Sequence, residues 1–457
     1  MNKSTYFKKL SISFLLLVSI ILCCSFNVQA SEVTWNSSNW NNLDCSIYWY
    51  GLGNKPYKFI PGQANQAFDP SKPTILYIHG WQPGYYIVKH RESFYIYGKD
   101  TADDWIKKGW NVGVFYWNQF SDEASVLDAE AKIWTTNGPQ KMRWRRANGS
   151  YDTSNSINMT AAQLLYNQYV QAMKNYTGNE IRIAGHSLGS QMAISLTKQI
   201  SDNVDSGNIS HELLPKRVAL LDPYFSNLPK SYLGFKWTGE VARSYVRTLI
   251  DQKNIPFELY TSSDLTKGIA GDDNIPLQKM CATSYMRPTF YDDIQQIERH
   301  YAAKYTYFSS MSSNPPLECY NNALTGNVAA SASTSDFRIA QMMGITAHWV
   351  QTGGRDSWDT SDDIYEKQVD STDFTPASDL AINCSKTSIN PGEYTSVKAT
   401  VTPCNATNKM VIWSSSNSNV AKVCTDGTVK GIAPGKATVT AETTTGIIKT
   451  INITVLN

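Results

Sequence analysis

The chain has little net charge and few of the groupings that mark a metal or nucleic-acid protein. Its 41 Lys and Arg nearly balance 39 Asp and Glu. That balance gives no reason to expect a polyphosphate partner, so nucleic acid is not expected. None of the cysteine spacings has the paired form of a zinc site. After residue 30 no apolar run is long enough to cross a bilayer. Histidine is scarce as well, six in 457 residues. That scarcity helps, because it limits a histidine base to His79, His90, His186, His211, His300 or His348.

What is present begins with a leader. Lys3, Lys8 and Lys9 precede an apolar run over 10–24, and Val28-Gln29-Ala30 ends on a small residue. This is the pattern of a secretory signal peptide cut after Ala30, which predicts a secreted or cell-surface protein. Cleavage removes three lysines and no acid, turning the small positive charge into a small negative one. Export permits disulfides. Cys45, Cys281, Cys319, Cys384, Cys404 and Cys424 remain after cleavage. A bridge between Cys281 and Cys319 is expected, and the three C-terminal cysteines leave at least one unpaired there.

Residues 31–70 are rich in Asn, Ser, Trp and Tyr and read as an irregular or strand-bearing lead-in. From Pro73 strands and helices alternate. The runs 74–78, 111–116, 181–184, 217–221 and 245–250 are short and continuously apolar, the pattern of strands buried on both faces. Ala162, Leu165, Tyr166, Tyr169 and Met173 fall at helical spacing. The alternation predicts an α/β fold, a mostly parallel sheet with flanking helices. Residues 121–157 interrupt it as a long polar excursion, whose Met142-Arg143-Trp144-Arg145-Arg146 suits a lid, a basic patch or an ordinary loop. Past the segment 373–379 the pattern changes. Alternating runs over 397–401, 437–441 and 451–455 lie between Asn390-Pro391-Gly392, Asp426-Gly427 and Ala433-Pro434-Gly435, as in a small all-β sandwich. The expected organisation is a leader over 1–30, an α/β domain over 31–372, a linker over 373–379 and a sandwich over 380–457.

One pentapeptide carries chemistry: Gly185-His186-Ser187-Leu188-Gly189. The apolar run 181–184 precedes it and 190–196 reads as helix, so it has the strand–G-x-S-x-G–helix context of a nucleophile elbow. A serine hydroxyl needs a base, a group that orients the base, and donors for the oxyanion. Ile78-His79-Gly80-Trp81 ends the first buried strand, where the backbone N–H groups of Trp81 and Leu188 would serve as those donors. His79 reads as a brace for that loop. Asp222, ending the run 217–221, is the candidate orienting acid, and Asp251, after 245–250, is its rival. The chain order Ser, Asp, His leaves His300 and His348 as bases. His79 and His90 precede Ser187, His186 lies inside the elbow, and His211 precedes Asp222.

At these residues the chain resembles the pancreatic-type (neutral) lipases of the α/β-hydrolase superfamily. The shared pieces are Ile78-His79-Gly80-Trp81, Gly185-His186-Ser187-Leu188-Gly189, Leu220-Leu221-Asp222-Pro223, and His300 followed by Tyr305, Tyr307 and Phe308. The resemblance covers residues 70–310. It implies an α/β-hydrolase fold and serine ester hydrolysis, with Ser187 as nucleophile, His300 as base and Asp222 as its partner. The tail resembles the group 2 bacterial immunoglobulin-like domain in Pro391-Gly392-Glu393, Val401-Thr402-Pro403, Trp413-Ser414-Ser415-Ser416-Asn417, Val420-Ala421-Lys422-Val423, Asp426-Gly427-Thr428-Val429 and Gly435-Lys436-Ala437-Thr438-Val439. That implies a bacterial, extracellular setting and a spacer or a cell-surface or glycan contact.

The expected function is a secreted carboxylic-ester hydrolase, a lipase acting on ester or lipid substrate at a lipid–water interface. It would work through an acyl-enzyme with no metal or organic cofactor. The alternatives are a phospholipase, an esterase of polysaccharide or cell-wall acyl groups, and a surface adhesion protein whose hydrolase domain is inert.

Overall fold

The computed structural model describes residues 42–84, 92, 94–96, 98–344 and 346–457. The expected leader over 1–30 and His90 lie outside the described residues. Twelve strands of the described residues join in one sheet. In chain order they are β1 (Ser46–Gly51), β2 (Lys55–Lys58), β3 (Thr74–Ile78), β4 (Asn111–Tyr116), β5 (Ile181–His186), β6 (Arg217–Leu221), β7 (Phe257–Thr261), β8 (Ala282–Tyr285), β9 (Leu317–Tyr320), β10 (Ala323–Val328), β11 (Ala347–Gly353) and β12 (Ile364–Val369). Their spatial order is β10-β9-β12-β11-β8-β7-β6-β5-β3-β4-β1-β2.

The strands from β4 through β3, β5, β6, β7 and β8 to β11 run parallel. Antiparallel pairs flank them: β1 on β4, and β12 on β11. Every residue of β3, β4, β5, β6 and β7 is buried. Helices cover such a sheet on both faces, so continuous apolar runs replace alternation. The helices used below are α1 (Thr101–Lys107), α2 (Val126–Trp134), α3 (Ala161–Ala172), α4 (Leu188–Asp205), α5 (Thr238–Lys253), α6 (Gln296–Ser309) and α7 (Asp336–Met342). The chain lays β4 on one side of β3 and then β5 on the other. The strand order therefore reverses between β3 and β5, and the crevice beyond their carboxyl ends is where open α/β sheets bind ligands.

Three expectations are corrected. The run 245–250 is not a strand but the second half of α5. Its buried positions, Ala242, Val246, Leu249 and Lys253, recur at helical spacing, with Arg243, Arg247 and Asp251 between them. Aromatic and β-branched residues made the run look continuous, while the interleaved charges belong to a helix face. The strand in this position is β7, and Asp251 is exposed on α5. The Met142–Arg146 stretch is a packed hairpin, Trp144–Arg145 on Tyr151–Asp152. Met142 and Trp144 are buried, Arg143 donates to both oxygens of Glu123, and Arg146 pairs with Asp152. The Cys281–Cys319 bridge is absent: all six cysteines of the described residues are free thiols. Cys281 is buried near the start of β8, and Cys319 lies on β9 beside a carboxylate oxygen of Glu366.

Residues 379–457 form the second body, two four-stranded sheets face to face. The alternating runs place Val397, Val439, Ala441, Ile453 and Val455 inward. This body is docked on the amino ends of the parallel strands. Asn408 donates to the carbonyls of Ala340 and Met343, both at 2.8 Å. Val411 N–H donates to Asn254 Oδ1 at 3.1 Å, and Met410 is buried in the core of the large sheet. Lys422 donates to the Gly178 carbonyl, Lys430 pairs with Glu212 at 2.6 Å, and His211 meets Asp426 at 2.8 Å.

Asn408→Ala would remove the side-chain donor that the Ala340 and Met343 carbonyls share, leaving Ala340 only the longer bond from the Met343 N–H at 3.3 Å. The expected cost is about 2 kcal/mol of unfolding free energy, read as a lower midpoint in urea.

Candidate active site

Ser187 follows β5 directly and caps α4, with φ 56° and ψ −124°. A non-glycine residue in that region costs about 1–3 kcal/mol and persists only where its surroundings hold it. Here the neighbours are glycines for a measurable reason. A Cβ on Gly189 would stand 2.1 Å from the Ile78 carbonyl oxygen, and one on Gly185 would stand 2.3 Å from the Gly189 oxygen. A Cβ on Gly80 would stand 2.6 Å from Ser187 Cβ. The turn and the start of α4 therefore meet the loop after β3 at close backbone approach, with the Ser187 side chain against Gly80. Ser187 N–H donates to the Leu221 carbonyl at 3.0 Å. The N–H of Leu188 opens α4, where the first donors of a helix have no acceptor within it.

The loop after β3 is braced as well. Trp117 N–H donates to His79 Nε2 at 3.1 Å, and Trp117 Nε1–H donates to the His79 carbonyl at 2.7 Å. With Nε2 accepting, the proton sits on Nδ1, 2.9 Å from the Gly80 oxygen. His79 is fully buried and stacks on Trp117. Trp81 is half-buried, and its Nε1–H donates to the Glu123 carbonyl at 2.7 Å.

Asp222 is fully buried at the end of β6. Its Oδ2 lies 2.6 Å from His300 Nδ1 and accepts the Ser263 hydroxyl at 2.5 Å. Its Oδ1 accepts the Ser262 N–H at 2.9 Å. His300 lies in the first turns of α6. The carbonyls around it are held by side chains from the strand ends. Ser262 Oγ donates to the Arg299 oxygen at 2.6 Å, and His186 Nε2 lies 2.9 Å from the His300 oxygen. The rings of His186 and His300 are 4.4 Å apart, centroid to centroid, so the His300 imidazole lies alongside the residue preceding Ser187. Burial, then the neighbouring His300, pushes the His186 pKa well below the usual imidazole range. His186 is thus a neutral donor, with its proton on Nε2.

The structure brings Asp222 and His300 into contact beside the Ser187 turn and leaves their rivals apart. Asp251 is exposed on α5. His348 lies on β11, with Nδ1 2.8 Å from Asp370 and Nε2 3.1 Å from the Gln368 amide oxygen. His211 faces the small sandwich. The sequence reading did not single out His186, Ser262 and Ser263 as site residues. The two serines follow β7, and recognising that strand would have pointed to them. Among the described residues no cluster of His, Cys, Asp and Glu could hold a metal ion.

Residues 371–449 match the family model described as bacterial Ig-like domain (group 2). The chain is 53% identical over 57 residues to an alpha-L-arabinofuranosidase of Bifidobacterium longum subsp. longum, 12% of this chain and 5% of that one. It is 33% identical over 115 residues to the kappa-carrageenase of Pseudoalteromonas carrageenovora, 25% of this chain and 28% of that one. It therefore spans less than a third of the length of either. Similar solved structures include the Pyrobaculum calidifontis esterase, at 12% identity over 53% of this chain and 76% of that one, with a TM-score of 0.28. Another is the Pyrococcus horikoshii acylaminoacyl peptidase, at 15% identity over 52% of this chain and 36% of that one, with a TM-score of 0.29.

Gly189→Ala drives a Cβ into the Ile78 and His79 carbonyls. It is expected to cost about 3 kcal/mol or more, seen as a large drop in melting temperature or loss of soluble protein.

Proposed function

We propose that this chain is a secreted serine hydrolase of carboxylic esters, with a lipase's substrate class, built on an α/β-hydrolase fold. The observation that carries the reading is the 2.6 Å contact between Asp222 Oδ2 and His300 Nδ1 beside the strained turn at Ser187. Asp222 keeps the His300 proton on Nδ1, which leaves Nε2 free to accept. Ser187 Oγ attacks the ester carbonyl carbon while His300 Nε2 takes its proton. The carbonyl π pair moves to oxygen, where the N–H groups of Trp81 and Leu188 receive it. The tetrahedral centre then collapses, the bond to the alkoxy oxygen breaks, and imidazolium protonates the leaving alcohol. Water repeats the sequence on the acyl-enzyme, releasing the acid and restoring Ser187.

A lipid substrate is favoured by the rim. The segments after Asp222 and after Ser263 carry Leu228, Phe235 and Ile269 at 66%, 75% and 72% exposure. Asn227 links the two segments by donating to the carbonyls of Gly268 and Ile269. Leu228 and Phe235 hold φ at 76° and 61°, a conformation bulky residues rarely adopt. The stretch 228–237 contains Lys230 and Lys236 and no acid. Projecting apolar tips flanked by lysines suit insertion into a lipid surface. A second reading, ester groups on a polysaccharide, is favoured by the curated relatives, named as an arabinofuranosidase and a carrageenase.

Residues 31–457 are expected to hydrolyse p-nitrophenyl esters and to be labelled at Ser187 by a fluorophosphonate. Ser187→Ala and His300→Ala should each lose about 10⁴-fold or more in kcat, while His348→Ala stays within twofold of wild type (about 0.4 kcal/mol). An unlabelled, folded and inactive chain would move the adhesion reading ahead. Leu228→Ser with Phe235→Ser should lower activity on emulsified long-chain esters and spare soluble short-chain ones. Equal loss on both would count against the lipid reading.

A further inference from the structure

Beneath the site lies a buried ion pair that the reaction as written does not use. Glu92 and Lys304 are almost wholly buried, and the Lys304 ammonium sits on Glu92 Oε1. The other carboxylate oxygen accepts the Gln82 amide at 2.7 Å, and Tyr77 OH lies 3.4 Å from Oε1. The Glu92 carbonyl accepts the hydroxyls of Tyr50 and Tyr116 at 3.1 and 2.8 Å, fixing this residue to β1 and β4. Burial opposes the ammonium charge, yet Glu92 holds the Lys304 pKa above its ordinary value.

The two ends of this pair lead to the two halves of the site. Gln82 follows Trp81 directly, and Tyr77 lies two residues before His79 on β3. Lys304 lies four residues after His300, on the same face of α6 one turn along. We infer that Glu92 and Lys304 are positioning residues that set the distance between the oxyanion donor Trp81 and the base His300. The inference rests on the ester-hydrolase reading. A single carboxylate bonded to both elements fixes their spacing more tightly than apolar packing, because every alternative arrangement leaves a buried charge unpaired. Elsewhere on α6, Tyr307 turns to Glu258 at 2.9 Å, the Phe308 carbonyl accepts the Trp105 indole N–H at 3.0 Å, and the Phe308 ring meets Phe94 by apolar contact alone.

The test compares Lys304→Met, Gln82→Met and Arg338→Met with wild type, using p-nitrophenyl ester hydrolysis, fluorophosphonate labelling and thermal melting. Arg338 pairs with buried Glu318 on β9, at the far edge of the sheet, and controls for the stability cost of breaking a buried pair. Lys304→Met is expected to lower kcat about 10²-fold with KM within twofold (about 0.4 kcal/mol), and to slow labelling in parallel. Gln82→Met, which leaves the ion pair intact, should lower kcat about tenfold and keep the wild-type melting temperature within a few degrees. Arg338→Met should melt earlier with kcat unchanged. Wild-type kcat in a folded Lys304→Met would overturn the proposal, as would equal kcat losses in Lys304→Met and Arg338→Met. If Lys304→Met does not fold, Gln82→Met decides, and wild-type kcat there would overturn it. An active wild type with unaffected variants removes this inference alone. A wild type that neither hydrolyses esters nor labels removes the hydrolase reading and this inference with it.

Discussion

The candidate site depends on the close approach of two connections where the strand order reverses. Gly80, Gly185 and Gly189 belong to two different connections, one after β3 and one around the start of α4. They are packed so closely that a single Cβ on any of them would lie within 2.6 Å of a neighbour's atom. Steric room, not side-chain affinity, therefore fixes the relation between the candidate oxyanion loop and Ser187. The strained φ of Ser187 follows from the same contact. The Ser187 N–H is held by the Leu221 carbonyl of β6 and its own carbonyl accepts the Tyr224 N–H, so the turn is clamped from the strand that ends in Asp222. Where the loop after β3 and the turn into α4 share one small volume, close packing alone sets the spacing of Gly80 and Ser187.

The outer parts of the site are arranged by buried carboxylates. Glu130 on α2 accepts the Ser226 N–H and hydroxyl, the Thr238 hydroxyl and the Gln191 amide. That ties the excursion, α4 and the loop after Asp222 to one point. Glu123 accepts Lys132 and Arg143 and offers its carbonyl to Trp81. Glu258 on β7 accepts Tyr307 of α6 and pairs with Arg217 at 3.1 Å. Replaced by apolar residues of equal volume, such pairs often cost a fold little stability. What they confer is a unique arrangement, since a charge taken from water has few acceptable neighbours. A reaction whose groups must sit within a fraction of an ångström draws on that uniqueness.

This division explains what could be read in the sequence. The buried strands 74–78, 111–116 and 217–221, the elbow and the strand-end Asp222 were legible because each signal is local: a continuous apolar run, two glycines around a serine, an acid closing a strand. The small sandwich was legible through its alternation and turn residues. The run 245–250 misled because a helix whose buried face carries Ala242, Val246 and Leu249 has enough apolar residues in sequence to imitate a strand. Missing β7 then hid Ser262 and Ser263, which are ordinary serines until the strand before them is known. Glu92 and Lys304 had no local signal at all. They are 212 residues apart, and a lysine in an amphipathic helix reads as a solvated residue unless its partner is known.

The small sandwich belongs to the same argument. Its anchors, Asn408, Met410, Lys422 and Asp426, meet the amino ends of the parallel strands and their flanking helices, while Ser187, Asp222 and Ser262 stand at the carboxyl ends. A parallel sheet exposes its functional loops at one end only, so the other end is free to carry a second body without obstructing substrate. The contact is also not that of a loose tether. Met410 enters the main core, and Asn408 donates to two carbonyls at the end of α7, both at 2.8 Å. A domain held by such groups moves with its neighbour, so the sandwich and the candidate site at the opposite end of the sheet keep a fixed relation.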